Sequence, residues 1–302
     1  MRFMYQYPEV NGREAELLDA GPAAELARAA EDTGWDGFAF TEHPAPSLRW
    51  LEAGGHQTLD PFVALGHVAA VTSRLRLLTF LSVLPYRNPV LLAKAAATVD
   101  ILSGGRFILG AGTGYAKAEF HALGVDFGER NALFDEALEL LPLHWSGEPF
   151  SYTGRHFSAR EVIARPRPPQ QPIPVWIGGN SKLTRRRVAE RADGWLPLLG
   201  TQELFATTRT ATLTSAAELA EAVTGLRADA GPRGAALDVA IAYTDPALRE
   251  ADPDWGRHRA AIAELAAAGA TWVIVPGRSD NATAFLKRFG TEIAAEYVQD
   301  DA

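Results

Sequence analysis

Cysteine is absent from the 302-residue chain. Its absence excludes disulfides, thiolate nucleophiles and cysteine-ligated metals together. No run of about 18 apolar residues occurs, so no membrane-spanning helix is expected. The N-terminus, Met1-Arg2-Phe3-Met4-Tyr5, reads as the start of a strand. It lacks the basic, apolar and small-residue sections of a secretory signal, which predicts a cytoplasmic location. A basic excess is missing too: the formal charge is −8, with acids and bases interspersed. That balance argues for solubility and against a nucleic-acid partner. The seven histidines show no H-E-x-x-H or similar spacing, so no metal site is expected. No G-x-S-x-G elbow supports a hydrolase.

What the chain does have is a 47% hydrophobic composition, enough for a large core, and a regular alternation of elements. Strands are predicted at 2–7, 37–43, 75–85, 106–112, 175–179, 194–199, 237–243 and 271–277. Helices are predicted at 22–34, 60–73, 88–105, 129–145, 181–193, 216–231, 255–269 and 281–298. Several carry boundary signals: Asp60 caps with Pro61 at the first helical position, and a Gly-Gly pair ends the helix at 104–105. Strands separated by crossover helices imply a parallel sheet. About eight such units in this length suit an α/β fold of the (β/α)8 TIM-barrel type, with an open doubly wound sheet as the alternative. Residues 147–174, rich in proline, aromatics and turn formers, read as an insertion between the fourth and fifth units. No linker divides the chain, so residues 1–302 are expected to form one domain.

Chemistry is suggested first by "RFILGAGTGY", residues 106–115. Its glycines at 110, 112 and 114 do not meet the G-x-G-x-x-G dinucleotide fingerprint, and they lie on the fourth strand rather than the first. In a barrel, Gly112-Thr113-Gly114 would leave the C-terminal face, where such folds build their active sites. Glycines there let backbone N–H groups approach a ligand, or relieve crowding in the barrel core; for Gly110 both readings stand. A second turn, Gly178-Gly179-Asn180-Ser181, opens a helix after the fifth strand. A helix start with a capping serine is an anion site or an ordinary cap. Two such loops on adjacent strands favour a phosphate-bearing cofactor.

These stretches, together with "GWDGFAFTEH", "NPVLLAKAAATVDILSGGRF" and "AEFHALGVDFGERNALFDEALELL", resemble the bacterial luciferase-like monooxygenase superfamily. Within it the chain is most similar to the oxidoreductases that use the deazaflavin coenzyme F420. The likeness runs from about residue 20 to residue 200. It implies a (β/α)8 barrel, a homodimer, and a flavin or deazaflavin at the C-terminal mouth with a small-molecule substrate beside it. It implies a ring-supporting bulge with a non-proline cis peptide at Leu81-Ser82-Val83-Leu84, placed between Ser82 and Val83. Carried over from this resemblance, Gly112, Thr113, Gly114, Tyr115, Gly178, Gly179, Asn180 and Ser181 complete the cofactor site. Thr41-Glu42-His43 matches an acid–histidine pair, with His43 polarising substrate or shuttling a proton and Glu42 orienting it. Related dehydrogenases carry a glutamate directly after G-T-G. Here that position is Tyr115, a poor proton acceptor at neutral pH. Glu119, four residues on, is expected to be solvated on a helix surface.

The remaining candidates are weaker. His56 and Trp50, in the loop after the second strand, are expected in the substrate pocket. His67, His144 and His258 sit in helical patterns and are expected to be structural. Arg185, Arg186 and Arg187 point in different directions on one helix, so a solvated face is expected rather than a clamp for an acidic cofactor tail. Phe150, Tyr152, Arg155, His156 and Phe157 in the insertion are candidates for a lid. The expected activity is hydride transfer between reduced F420 and a small organic molecule. The alternatives are an FMN-dependent monooxygenase using O2 and a flavin-binding protein without turnover.

Overall fold

The computed structural model describes residues 1–11, 16–17, 21–208, 210–277 and 281–297. Eight parallel strands close a barrel. They are β1 (Arg2–Gln6), β2 (Gly37–Phe40), β3 (Arg76–Thr79), β4 (Phe107–Gly112), β5 (Val175–Gly178), β6 (Gly194–Leu196), β7 (Asp238–Ala242) and β8 (Trp272–Pro276). Each pairs with the next, and β8 returns to β1 with Arg2 opposite Trp272. Closure of the ring rules out the open doubly wound sheet.

The outer helices are α1 (Ala23–Asp32), α2 (Pro61–Ala69), α3 (Pro89–Leu102), α4 (Arg130–Trp145), α5 (Lys182–Arg191), α6 (Ala216–Asp229), α7 (Trp255–Ala267) and α8 (Ala282–Glu292). Their starts follow local chemistry. Asp60 accepts from Phe62 N and Val63 N with Pro61 at the first position, and Asn88, Ser181, Ser215 and Asp254 cap in the same way. The last expected helix ends at Glu292, followed by a 3-10 turn at Ala294–Tyr297; its final residue, 298, lies outside the described residues.

The strand period of two divides the core into two layers. Met4, Ala39, Leu78, Ile108, Trp176, Leu196, Ala240, Trp272 and Ile274 fill the barrel interior, with Trp176 and Trp272 in edge contact at 5.6 Å. Their strand neighbours Phe3, Tyr5, Phe38, Leu77 and Phe107 face outward and pack under the helices. The interior is therefore solid, and any ligand must sit at a mouth.

The strand expected over 75–85 breaks after Thr79. Its cis peptide lies between Phe80 and Leu81, not between Ser82 and Val83. Ser82–Val83 then pairs with β4, placing Ser82 opposite Ala111 and Val83 opposite Gly112. The insertion forms an antiparallel hairpin, Phe150–Thr153 with Ser158–Val162. Glu136 of α4 gathers the tip by accepting from Arg155 N, His156 N and Phe157 N at 3.0–3.2 Å. Tyr152 donates to Glu139, and Arg155 and His156 meet Glu129. These contacts hold the segment, a lid candidate by its composition, on the flank of α4.

Arg187 also departs from expectation. It is buried, makes a bidentate pair with Asp135 at 2.7 and 2.8 Å, and reaches Asn131 across the ring of Phe134. Only Arg185 and Arg186 of the three face outward. The helix expected around Glu119 is the short Lys117–Ala122. Two short helices escaped the sequence reading, Leu48–Glu52 and Gln202–Thr208. So did the two-residue strand pair of Val10–Asn11 with His56–Gln57. All are too short for a periodicity signal.

Candidate active site

Past the end of β2 the chain runs through Thr41-Glu42-His43 at the C-terminal mouth. His43 is anchored by its own N–H, which donates to Thr58 Oγ1 at 2.9 Å. Its ring Nδ1 lies 3.2 Å from Glu119 Oε2. Glu119 is buried and also accepts from Tyr86 OH at 2.9 Å and Ala45 N at 3.3 Å. An ionised carboxylate only accepts, so it selects the Nδ1–H form of His43 and leaves Nε2 with its lone pair. That nitrogen faces Tyr115 OH at 3.5 Å. Trp50 lies against the imidazole at 4.4 Å and His56 meets it edge-on at 5.0 Å.

Glu119 thus occupies the orienting place expected for Glu42, and it is not solvated. The short helix Lys117–Ala122 turns it inward beside Phe120, whose ring packs edge-on against Tyr86 at 4.9 Å. The four-residue spacing from Tyr115 to Glu119 was the available signal.

Glu42 serves the neighbouring segment instead. Its Oε2 accepts from Ser82 Oγ at 3.2 Å and Val83 N at 2.7 Å, while Oε1 pairs with Arg87 at 2.6 Å. Burial pushes the Glu42 carboxyl upward, and Arg87 and these donors oppose that shift. Glu42 therefore fixes the strand fragment Ser82–Val83 against β4. Ser82 is fully buried and spends its hydroxyl on Glu42. Around it Phe80, Leu81 and Val83 are partly exposed.

A second acid–histidine pair went unnoticed in the sequence. Glu9, three residues beyond β1, lies 3.1 Å from His56 Nε2 and accepts from Gln6 Nε2 at 2.6 Å. The His56 approach is close but poorly aligned for a hydrogen bond. Burial raises the Glu9 carboxyl to about 7, against the lowering influence of His43, Thr41, Arg249 and Gln6. Burial, with His43 nearby, pushes the His56 imidazole down to about 3. At neutral pH His56 is uncharged.

The two glycine loops are neighbours, because Ile177 stands opposite Ala111 in the β4–β5 register. Gly178 and Gly112 follow these residues, and the Leu81 side chain lies between them. A Cβ would come within 3.1 Å of it at Gly112 and 2.3 Å at Gly178. Both glycines therefore seat an apolar floor. Gly110 is structural, since a Cβ there would meet Thr79 O at 1.9 Å. Gly114 has φ +77° and a Cβ would meet Val83 and Phe120 below 3.0 Å, whereas Gly179, at φ +111°, has its nearest neighbour at 3.4 Å.

Around Gly179 the donors are partly committed. Gly179 N bonds Leu196 O and Asn180 N bonds Thr210 Oγ1. The Asn180 amide is spent on Leu198 O, Ala211 O and Leu198 N, which ties this loop to the segment after β6. Ser181 caps α5 through Thr184 N at 3.0 Å. The first-turn N–H groups of α5 have no acceptor within the helix, so a phosphate here would meet Ser181 and Lys182 rather than the Asn180 side chain.

The other histidines lie elsewhere. His67 is exposed on α2, His144 is buried, and His258 accepts or donates to Tyr243 OH at 2.6 Å. An open groove of about 800 Å³ runs between α5 and α6 on the outside of the barrel. Its wall of Lys182, Arg185 and Arg186 faces Glu218, Glu221 and Asp229, so it has no preference for an acidic tail. No group of three or more potential metal ligands occurs among the described residues. No helix among them is long and apolar enough to cross a membrane.

Comparison with known proteins agrees with this architecture. The model of the luciferase-like monooxygenase family matches residues 1–295. The chain belongs to this family. Among curated relatives, the luciferase-like chain is 34% identical over 186 residues to an F420-dependent glucose-6-phosphate dehydrogenase of Kineococcus radiotolerans. That alignment covers 60% of the chain and 53% of the relative. Two solved structures share the fold over nearly their whole length. An F420-dependent secondary alcohol dehydrogenase, in complex with an F420-acetone adduct, has a TM-score of 0.75 at 18% identity, covering 97% and 98% of the two chains. The oxygenating constituent of 3,6-diketocamphane monooxygenase from Pseudomonas putida, in complex with FMN, has 0.74 at 17%, covering 98% of each. Near-equal likeness to both means that the luciferase-like fold does not choose between the two cofactors.

Proposed function

We propose that this luciferase-like protein is an oxidoreductase that transfers a hydride between coenzyme F420 and a small organic substrate at the C-terminal mouth. The observation that carries this reading is the enclosed His43–Glu119 pair, set beside two adjacent glycine loops. The residues fit a phosphate-bearing ring cofactor. The Gly112–Gly114 loop at the end of β4 stands on one side and the N-terminal turn of α5 on the other, while Leu81 gives an apolar floor. When bound, a deazaflavin supplies a two-electron hydride carrier that does not react readily with oxygen.

The chain's own residues then manage the proton. Glu119 holds His43 in the Nδ1–H form and stabilises it when Nε2 takes a proton. Trp50 and His56 pack against the His43 ring and shield it from water. The F420-dependent relative at 34% identity supports F420 over FMN. FMN-dependent oxygenation is the second reading, favoured by the FMN-bound neighbour of the same fold. Homodimerisation is part of the proposal and is checked by light scattering.

The deciding experiment adds F420 and FMN separately and follows fluorescence quenching. Micromolar F420 binding with substrate-dependent bleaching of F420 upholds the reading. Tight FMN binding with NAD(P)H-linked oxygen uptake replaces it with the second. If neither cofactor binds, both fail.

A further inference from the structure

We infer that Tyr115, not His43, meets the substrate oxygen, so that protons move along Glu119–His43–Tyr115 and the substrate is one member of an alcohol–carbonyl pair. This rests on the hydride-transfer reading above. Both ring nitrogens of His43 are engaged, Nδ1 by Glu119 and Nε2 by the Tyr115 hydroxyl. One ring face is covered by Trp50 and an edge by His56, and the side chain is 10% exposed. A substrate oxygen approaching Nε2 would compete with the Tyr115 hydroxyl that already faces it. Tyr115, by contrast, is only half-buried and directly follows the Gly112–Gly114 loop at the mouth.

The electrostatics agree with this arrangement. Burial, with Glu119 and Glu9 nearby, pushes the Tyr115 phenol up to about 12, so it remains protonated at neutral pH. A neutral tyrosine is a weak base and a competent relay when a histidine accepts its proton at the same moment. His43 in the Nδ1–H form presents the lone pair needed for that.

In the oxidative direction the substrate hydroxyl gives its proton to the Tyr115 oxygen as the Tyr115 proton passes to His43 Nε2. The C–H bond breaks, its electron pair leaves as hydride to oxidised F420, and the C=O bond forms. His43, now an imidazolium paired with Glu119, releases the proton to water. Carbonyl reduction follows the same path in reverse, with reduced F420 as the hydride source.

Tyr115→Phe keeps the ring and removes the hydroxyl. With 2-propanol as the probe and F420 as oxidant, kcat should fall about 100-fold or more, with KM changed less than threefold and F420 quenching unchanged. In the cofactor-free protein, the 15N resonance of His43 Nε2 should move in the variant while Nδ1 stays in place. Wild-type kcat in the variant, or an unmoved Nε2 resonance, overturns the relay. Loss of F420 binding in the variant also overturns it, by making Tyr115 a cofactor wall. If the wild type binds no F420 or leaves 2-propanol untouched, the failure belongs to the hydride-transfer reading. The nitrogen spectra then still decide whether Tyr115 holds Nε2.

Discussion

Glu119 and His43 meet at 3.2 Å although they stand 76 positions apart in the chain. The carboxylate also serves Tyr86 and Ala45, so its removal strands three partners in a buried place. Glu119→Ala should therefore destabilise the fold by about 2–3 kcal/mol, read from urea midpoints. Glu119→Gln can still accept from Tyr86 and should cost about 1 kcal/mol. Both should slow turnover by freeing the His43 tautomer. A Glu119→Ala protein with wild-type stability would contradict this network.

Arg87 bridges Glu42 and Asp60 at 2.6 and 2.8 Å, and Glu42 has little access to water. Arg87→Met leaves that carboxylate unpaired, and the expected loss is about 3–5 kcal/mol. The double variant Arg87→Met with Glu42→Gln should recover part of it. Equal loss in single and double variants would show that packing of Arg87 over Phe62, rather than charge, matters.

Glu9 carries a pH signature. Its carboxyl is raised from 4.5 to about 7, so between those values the folded chain keeps a proton that the unfolded chain has released. Stability from this group therefore falls as pH rises through that window and is level above it. His56, lowered from 6.5 to about 3, has the opposite slope below 6.5, so the two largely cancel in mildly acidic solution. In Glu9→Gln the advantage over wild type should grow from about pH 4.5 to 7, by at most about 3 kcal/mol, and then stay constant. Tm measured across this range checks the sign.

Asn180 ties two loops with three hydrogen bonds from one side chain. Asn180→Ala should cost about 2–3 kcal/mol and weaken cofactor binding by loosening the start of α5. Gly179→Ala separates conformation from overlap, because a Cβ there meets only ordinary contacts from 3.4 Å while its φ is +111°. A loss of about 1 kcal/mol is expected there. Gly114→Ala should cost more, since strain adds to overlap with Val83 and Phe120. Differential scanning of the three variants tests the order.

The barrel was legible because its signals are local and repeated: a buried run, a cap, a helix, a glycine. The mouth was legible only in part. His43, Trp50, His56 and Tyr115 do come together, at ring distances of 4.4–6.0 Å. Their carboxylate partners were misassigned, because a partner is chosen by three-dimensional proximity and not by adjacency. Glu42 precedes His43 yet turns to Arg87, while Glu119 and Glu9 arrive from the ends of other strands. The cis bond was likewise placed two residues late, since nothing in an apolar run marks where a strand breaks. Within the expected insertion, the resting place of the hairpin depends on one buried acid, Glu136, that no pattern distinguished from the charged residues around it.

The hairpin's attachment to Glu136 leaves the barrel's own seam untouched. β4 and β5 close through their backbones, and Arg187 clasps Asp135 across α4 and α5 without any hairpin residue. The segment between Phe150 and Val162 is thus an accessory that the scaffold tolerates rather than requires. It is a place where length and sequence can be exchanged, or a foreign module grafted, while the strand pairing of the barrel is kept.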